Sequence, residues 1–309
     1  MPSVLVTDSY YDIGLARELL APAAVEVVLN PGPWADGDVV ALLNTPDQPV
    51  GSRELDALPA LRVIATCSVG YDHIDVAAAS AHGVVVCNVP DYCVEEMADS
   101  TLALLLSLIR GVVVLDRDVA QGGWDYRAAG ELRRLRDTRL GVLGFGRIGR
   151  AVAGRALALG LEVWATDPAV SLEVFRSAGV RSASLDELLR QCDALTLHVP
   201  LSPATEGLIG ERELALMRPG AVLVNTARAL LVDAPALYAA LDSGHLAGAA
   251  LDVLPVEPPP SPAPRLPTLV INPHAAWYSK KAEAAVLRRP VLSVLAALNG
   301  EDPDDRVRP

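Results

Sequence analysis

The stretch Leu140-Gly141-Val142-Leu143-Gly144-Phe145-Gly146-Arg147-Ile148-Gly149 decides the fold. Residues 140–143 read as a short buried strand. Gly144 follows it directly, and Gly149 opens a helix running to about residue 159. Glycines at these points let the chain turn tightly and bring backbone N–H groups onto a pyrophosphate at a helix N-terminus. Three glycines alone would fit ordinary turn chemistry. Here Asp167 stands 18 residues beyond Gly149, at the end of the next apolar run. A carboxylate there accepts ribose hydroxyls and repels a 2′-phosphate, which favours NAD over NADP; the bland alternative is a surface cap. Gly144, Gly146, Arg147, Ile148, Gly149 and Asp167 are therefore candidate cofactor residues of a Rossmann domain.

Outward from this loop, short β-rich runs alternate with helical patterns, which predicts parallel sheets with crossover helices. Before it, strands are expected over 4–7, 25–29, 39–43, 62–66 and 84–86, with helices over 13–20, 53–58 and 76–82. A long helix spans 94–109 with Glu95 and Glu96 in its first turn, where negative charge suits the helix dipole. Gly122-Gly123 begins an irregular stretch lasting to about 137. The second series has strands over 140–143, 161–166, 194–198, 222–225, 247–251 and 268–271. Its helices are expected over 148–159, 171–177, 185–192, 211–217 and 234–243. Six strands are the count of a full doubly wound dinucleotide domain. The Pro-rich run 255–267 reads as a loop. A last helix over 281–298 contains Pro290 and is expected to kink or break there.

Composition bounds the function. The 309 residues leave room for two domains, and 51% are hydrophobic against 21% charged. The 26 basic and 38 acidic residues give a formal charge of -12, which argues against nucleic acid as a partner. The cluster Arg133, Arg134, Arg136, Arg139 is interrupted by Leu135 and Asp137. It reads as a solvated helix face or linker before an anion site. Cys67, Cys87, Cys93 and Cys192 form no Cys-x-x-Cys pair and no His lies at metal-ligand spacing, so no metal is expected. They read as reduced, buried thiols of a cytoplasmic protein. The N-terminus reads as a strand rather than a signal peptide, and the apolar run 101–109 ends at Arg110, too short to span a bilayer.

Three polar residues follow strand ends of the second series: Arg228, Glu257 and His274. Each alone has a bland reading, as a surface arginine, a loop carboxylate and a strand-end cap. Together, at the C-terminal edge where doubly wound sheets bind ligands, they offer a cation for a substrate carboxylate, an acid/base, and a carboxylate to orient it.

At this point the chain resembles the NAD-dependent D-2-hydroxyacid dehydrogenases over nearly its whole length. The matching stretches are Val69-Gly70-Tyr71-Asp72-His73-Ile74-Asp75, Asn88-Val89-Pro90, Glu95-Glu96-Met97-Ala98-Asp99-Ser100-Thr101, the glycine loop, Leu197-His198-Val199-Pro200-Leu201, Asn225-Thr226-Ala227-Arg228, Ala250-Leu251-Asp252-Val253 and Pro273-His274. His274-Ala275-Ala276-Trp277-Tyr278-Ser279, with a tryptophan three residues after the histidine, resembles the C-terminal binding protein branch. The resemblance implies α/β architecture with two doubly wound parallel-sheet domains. A flavodoxin-like substrate domain would take 1–98 plus 278–309, and a Rossmann domain 99–277, in a homodimer.

Carried over by position, Arg228 would bind substrate. His274 would be the general acid in keto-acid reduction and the base in oxidation. Glu257 would orient His274 and stabilise its protonated form. Asp252 would hold the nicotinamide carboxamide, Val69 and Gly70 amides the substrate carboxylate, and Trp277 would wall the pocket. Thr101, His198, Val199, Pro200, Thr205, Thr226, Ala227, Arg228, His274 and Trp277 complete the cofactor side. The implied activity is interconversion of a small D-2-hydroxy acid and its 2-keto acid with NAD(H). The alternative is an NAD(H)-sensing, corepressor-like binding module with little turnover. Three departures bear on substrate. Ala229 stands where the family usually has Gly, at a cost of about 1 kcal/mol if that backbone needs positive φ. Thr66 replaces a second substrate-facing arginine of the C-terminal binding proteins. The loop from Glu257 to His274 is short and proline-dense.

Overall fold

Runs of valine, leucine, isoleucine and alanine form the strands, and most strand residues are buried, as parallel strands covered on both faces require. The computed structural model describes residues 1–34, 38–259 and 266–308. Among these residues the chain forms two units, Met1–Tyr92 with Ser279–Pro309, and Cys93–Tyr278.

The first unit holds β1 (Ser3–Val6), β2 (Glu26–Leu29), β3 (Val39–Asn44), β4 (Val63–Thr66) and β5 (Val85–Cys87). They pair in parallel in the order β2-β1-β3-β4-β5, the flavodoxin-like arrangement. Leu5, Leu42, Leu55, Leu58 and Ile64 fill its core. The Lys280–Leu298 helix packs on β3, β4, β5 and the Ile13–Leu20 helix. It runs through Pro290 without the expected break. Proline forfeits one intrahelical hydrogen bond, but Val286, Pro290, Val291 and Val294 are buried, and that packing outweighs the local preference. Arg289 on this helix holds Asp305 at 2.9 Å and Asp91 at 2.5 Å.

The second unit holds β6 (Arg139–Leu143), β7 (Glu162–Thr166), β8 (Arg181–Ser182), β9 (Ala194–Leu197), β10 (Ala221–Asn225), β11 (Leu246–Leu251) and β12 (Leu269–Ile271). The parallel order is β12-β11-β10-β9-β6-β7-β8. The chain leaves β6 toward β7 on one side and returns through β9 on the other, which makes the switch point where such sheets bind nucleotides. The six expected strands are present, and β8 is a seventh. Two exposed residues carry no periodic signal, so sequence reasoning passed over it. A division at residue 98 would cut the Val94–Ile109 helix. Instead the helix lies whole in this unit, with Ala98, Leu102 and Leu105 in its core.

The stretch after Arg110 contains a further helix, Val112–Ala120, that the sequence reading did not assign. None of its residues is fully buried, and Val113, Val114 and Leu115 are half-buried. Beyond it lie short 3-10 turns at Tyr126–Ala129 and Leu135–Asp137. The arginine cluster is structural. The buried Asp193 carboxylate accepts the Arg139 N–H at 2.9 Å and pairs with Arg133 and with Arg218 at 3.1 Å, while Arg139 reaches Glu162 at 2.9 Å. The four cysteines are free and buried. Burial pushes the Cys67, Cys87 and Cys192 thiols up to about 12. Among the described residues no single helix is long and apolar enough to cross a membrane. Part of the expected loop 255–267, residues 260–265, lies outside the described residues.

Candidate active site

The second unit gathers its polar candidates beyond the C-terminal ends of one parallel sheet. The glycine loop follows β6, Asp167 follows β7, His198 follows β9, Arg228 lies past β10, Asp252 follows β11 and His274 lies past β12.

Gly144 has φ +92° and donates its N–H to the Thr166 carbonyl at 2.9 Å. A Cβ there would lie 2.6 Å from the His198 carbonyl oxygen, and one on Gly149 would lie 2.1 Å from the Gly144 carbonyl oxygen. Strand, helix and the loop after β9 approach closely enough that only glycine fits at either position. A Cβ on the exposed Gly146 meets nothing within 4 Å. Gly146 is the N-cap of the Arg147–Ala158 helix and supplies no side-chain acceptor to its first turn. The result is an open cradle at a helix N-terminus, where a pyrophosphate fits. Phe145 turns inward and stacks on Phe175 with ring centroids 4.8 Å apart.

Asp167 accepts the Phe145 N–H at 2.8 Å and the Ala169 N–H at 2.9 Å, so its carboxylate is fixed beside the cradle. His198 contacts the Thr196 hydroxyl through Nε2 at 3.0 Å. Desolvation pushes its imidazole down to about 3, so the ring is neutral near pH 7. Val199 is half-buried and Pro200 exposed. Thr205 closes the following turn, donating to the Pro200 carbonyl at 2.7 Å and accepting from the Ser202 N–H at 2.8 Å. The buried Thr101 and Thr226 hydroxyls bond each other at 2.9 Å, tying the Val94–Ile109 helix to the end of β10.

At the other end, Asn225 shapes the Arg228 turn. Its side chain accepts the Ala227 N–H at 3.0 Å and donates to the Arg228 carbonyl at 2.8 Å. The Arg228 guanidinium donates to the Ala227 carbonyl at 3.0 Å. Ala229 opens the 3-10 turn Ala229–Leu231 without a positive φ, so the strain feared from its side chain does not arise. His274 Nδ1 lies 2.7 Å from Glu257 Oε2, and Glu257 Oε1 accepts the Leu254 N–H at 2.7 Å. His274 has φ +53°, a left-handed conformation rarely taken by a residue with a side chain and worth roughly 1–3 kcal/mol of strain. Its N–H donates to the Asp252 carbonyl at 2.9 Å, while the Asp252 carboxylate accepts the Ala275 and Ala276 N–H groups at 2.9 and 3.0 Å. Ser100, inside a quoted motif but assigned no role, donates to the Ala276 carbonyl at 3.0 Å. Trp277 packs edge-on against Tyr278 at 5.6 Å.

Val69, Gly70 and Thr66 belong to the first unit, at and beyond the end of β4. The Val69 carbonyl accepts from the Asn88 amide at 2.6 Å and the Gly70 carbonyl from the Ser68 hydroxyl at 2.5 Å. The buried Thr66 hydroxyl bonds the Ser68 hydroxyl at 3.1 Å and His73 Nε2 at 3.3 Å.

Residues 102–276 match the family described as D-isomer specific 2-hydroxyacid dehydrogenase, NAD binding domain. The chain is 38% identical over 275 residues to a glyoxylate reductase of Korarchaeum cryptofilum, covering 87% of this chain and 83% of that protein. It is 35% identical over 319 aligned positions to a D-3-phosphoglycerate dehydrogenase of Mycobacterium bovis, covering 99% of this chain but 59% of that longer protein. A D-lactate dehydrogenase from Aquifex aeolicus, solved with NAD and lactic acid, superposes with a TM-score of 0.87 at 28% identity over 97% of this chain and 96% of its own.

Two predictions test the cradle and its wall. Gly149→Ala is expected to weaken NADH binding by on the order of tenfold or more, a cost above 1.4 kcal/mol. Gly154→Ala, on the same helix with nothing within 4 Å of its Cβ, is expected to raise stability by up to about 1 kcal/mol and leave NADH binding intact. Fluorescence titration and urea denaturation read both. His198 sets an acid limit. Its pKa falls from 6.5 unfolded to about 3 folded, so the unfolded chain binds more protons between those values. Stability therefore declines as pH drops through that window. His198→Asn should flatten the decline in urea midpoints measured from pH 7 to 4, and an unchanged slope would assign it to other groups.

Proposed function

The chain belongs to the D-isomer specific 2-hydroxyacid dehydrogenase family, and on that footing we propose that it interconverts a small D-2-hydroxy acid and its 2-keto acid, with Arg228 and His274 acting on the substrate. The observation that carries this reading is the 2.7 Å contact between His274 Nδ1 and Glu257. It leaves Nε2 as the nitrogen that exchanges a proton with the substrate oxygen. NAD(H), when bound, supplies or accepts the hydride. In reduction His274 donates its proton to the carbonyl oxygen and recovers one from water; in oxidation it takes the hydroxyl proton. Glu257 holds the ring, while the Leu254 amide holds Glu257 in turn. The Arg228 guanidinium pairs with the substrate carboxylate and polarises the neighbouring carbonyl.

The glycine cradle, Asp167 and the turns carrying His198, Thr205 and Thr226 hold the cofactor in this reading, and Asp167 reads the ribose. The second unit is then the cofactor domain and the first the substrate domain, where Val69 and Gly70 amides would take part. A homodimer belongs to the same reading, supported by exposed Val112, Val119, Trp124 and Tyr126 in the second unit. Placement near the C-terminal binding proteins is corrected, because the relatives found are a glyoxylate reductase and a phosphoglycerate dehydrogenase. With that placement goes the main support for a sensing module without turnover.

The test is a panel of 2-keto acids (glyoxylate, hydroxypyruvate, phenylpyruvate, a thioether-bearing keto acid) with purified protein and NADH. Reduction of at least one is expected, and reduction of none would sink the assignment. His274→Ala should cut kcat for reduction by ~10²–10⁴-fold with NADH binding nearly intact. Asp167→Ala is expected to weaken NAD binding and narrow its advantage over NADP, read as the ratio of kcat/KM for the two cofactors. An unchanged ratio would mean another residue reads the ribose.

A further inference from the structure

We propose that Asp252 is the positioning residue of the acid/base: it holds the backbone of residues 274–276 and so fixes where His274 points. This rests on the reading of His274 given above. Three successive amides converge on this one residue, His274 on its carbonyl and Ala275 and Ala276 on its two carboxylate oxygens. Consecutive N–H groups around a residue in the left-handed region form a concave anion-binding nest. Here the anion is built into the chain. The left-handed φ of His274 is the conformation that lets all three amides face the same way.

A carboxylate suits this position because the two N–H donors go to its two separate oxygens. Asparagine offers one, and its NH2 group would face a donor. Asp252 is 1% exposed, with both oxygens already engaged. That geometry favours holding the loop over holding the carboxamide of a bound nicotinamide. The Ser100 hydroxyl completes the clamp by donating to the Ala276 carbonyl, so both polar backbone groups of Ala276 are tied.

Hydrogen exchange and kinetics test the proposal together. Ala275 is exposed, so protection of its amide reports the Asp252 bond itself. Asp252→Asn should speed exchange at Ala275 and Ala276 by about tenfold or more and lower kcat for keto-acid reduction by ~10–100-fold, with the Kd for NADH within about threefold of wild type. In a His274→Ala background the same change should cost little further, because the residue acts through the imidazole. An equal loss of kcat in both backgrounds, accompanied by weakened NADH binding, would make Asp252 a cofactor ligand and overturn the proposal. Ser100→Ala covers the case in which Asp252→Asn does not fold. It should speed exchange at Ala276 and lower kcat in the same direction, and faster exchange with unchanged kcat would count against positioning. Full activity in His274→Ala alone would instead defeat the acid/base reading, while the exchange data would still show whether Asp252 holds the loop.

Discussion

The second unit depends on a close approach at its switch point. The end of β6, the start of the Arg147–Ala158 helix and the loop after β9 meet at distances that leave no room for a Cβ on Gly144 or Gly149. This contact aims the helix N-terminus across the C-terminal edge of the sheet. It also sets the Phe145 amide where Asp167 accepts it, so Asp167 and the glycine loop are one hydrogen-bonded piece. Phe145 and Phe175 stacked beneath it make the loop part of the hydrophobic core rather than a surface turn. A segment so placed keeps its shape without a ligand, which lowers the ordering cost of binding one.

At the other end of the site the same economy recurs with carboxylates. Glu257 and Asp252 each accept backbone amides, and each then constrains His274, one through the ring and the other through the main chain. In the proposed reaction, fixing the imidazole from two directions would matter because proton transfer demands hydrogen-bond distance to the reacting oxygen. Charge-assisted bonds from main chain to carboxylate are strong and short in reach. They suit a loop that must hold a residue in an unfavourable backbone conformation.

Much of this was legible in the sequence because the signals were local. The glycine loop, its flanking strand and helix, and Asp167 are fixed by spacing, and all five strand predictions in the first unit match real strands. What escaped had a tertiary cause. Strand β8 is two residues held by pairing with β7, and the Val112–Ala120 helix has no fully buried residue. Pro290 reads as a breaker until the packing of its helix is known. Ala229 reads as strained until its turn is seen to need no positive φ. Asp252 could be marked as important, but its partners at 275 and 276 lie on the far side of a strand and a loop. No pattern in the linear chain joins them.

The thiols carry a practical consequence. All four cysteines are buried, and three are held far from the thiolate range. Alkylating and disulfide-forming reagents act on the thiolate, so the native fold offers them almost no target. The protein is thereby a silent background for site-specific labelling. A single cysteine introduced at Leu172, which is 66% exposed, would take a spin label or fluorophore alone, with no need to strip the native residues first.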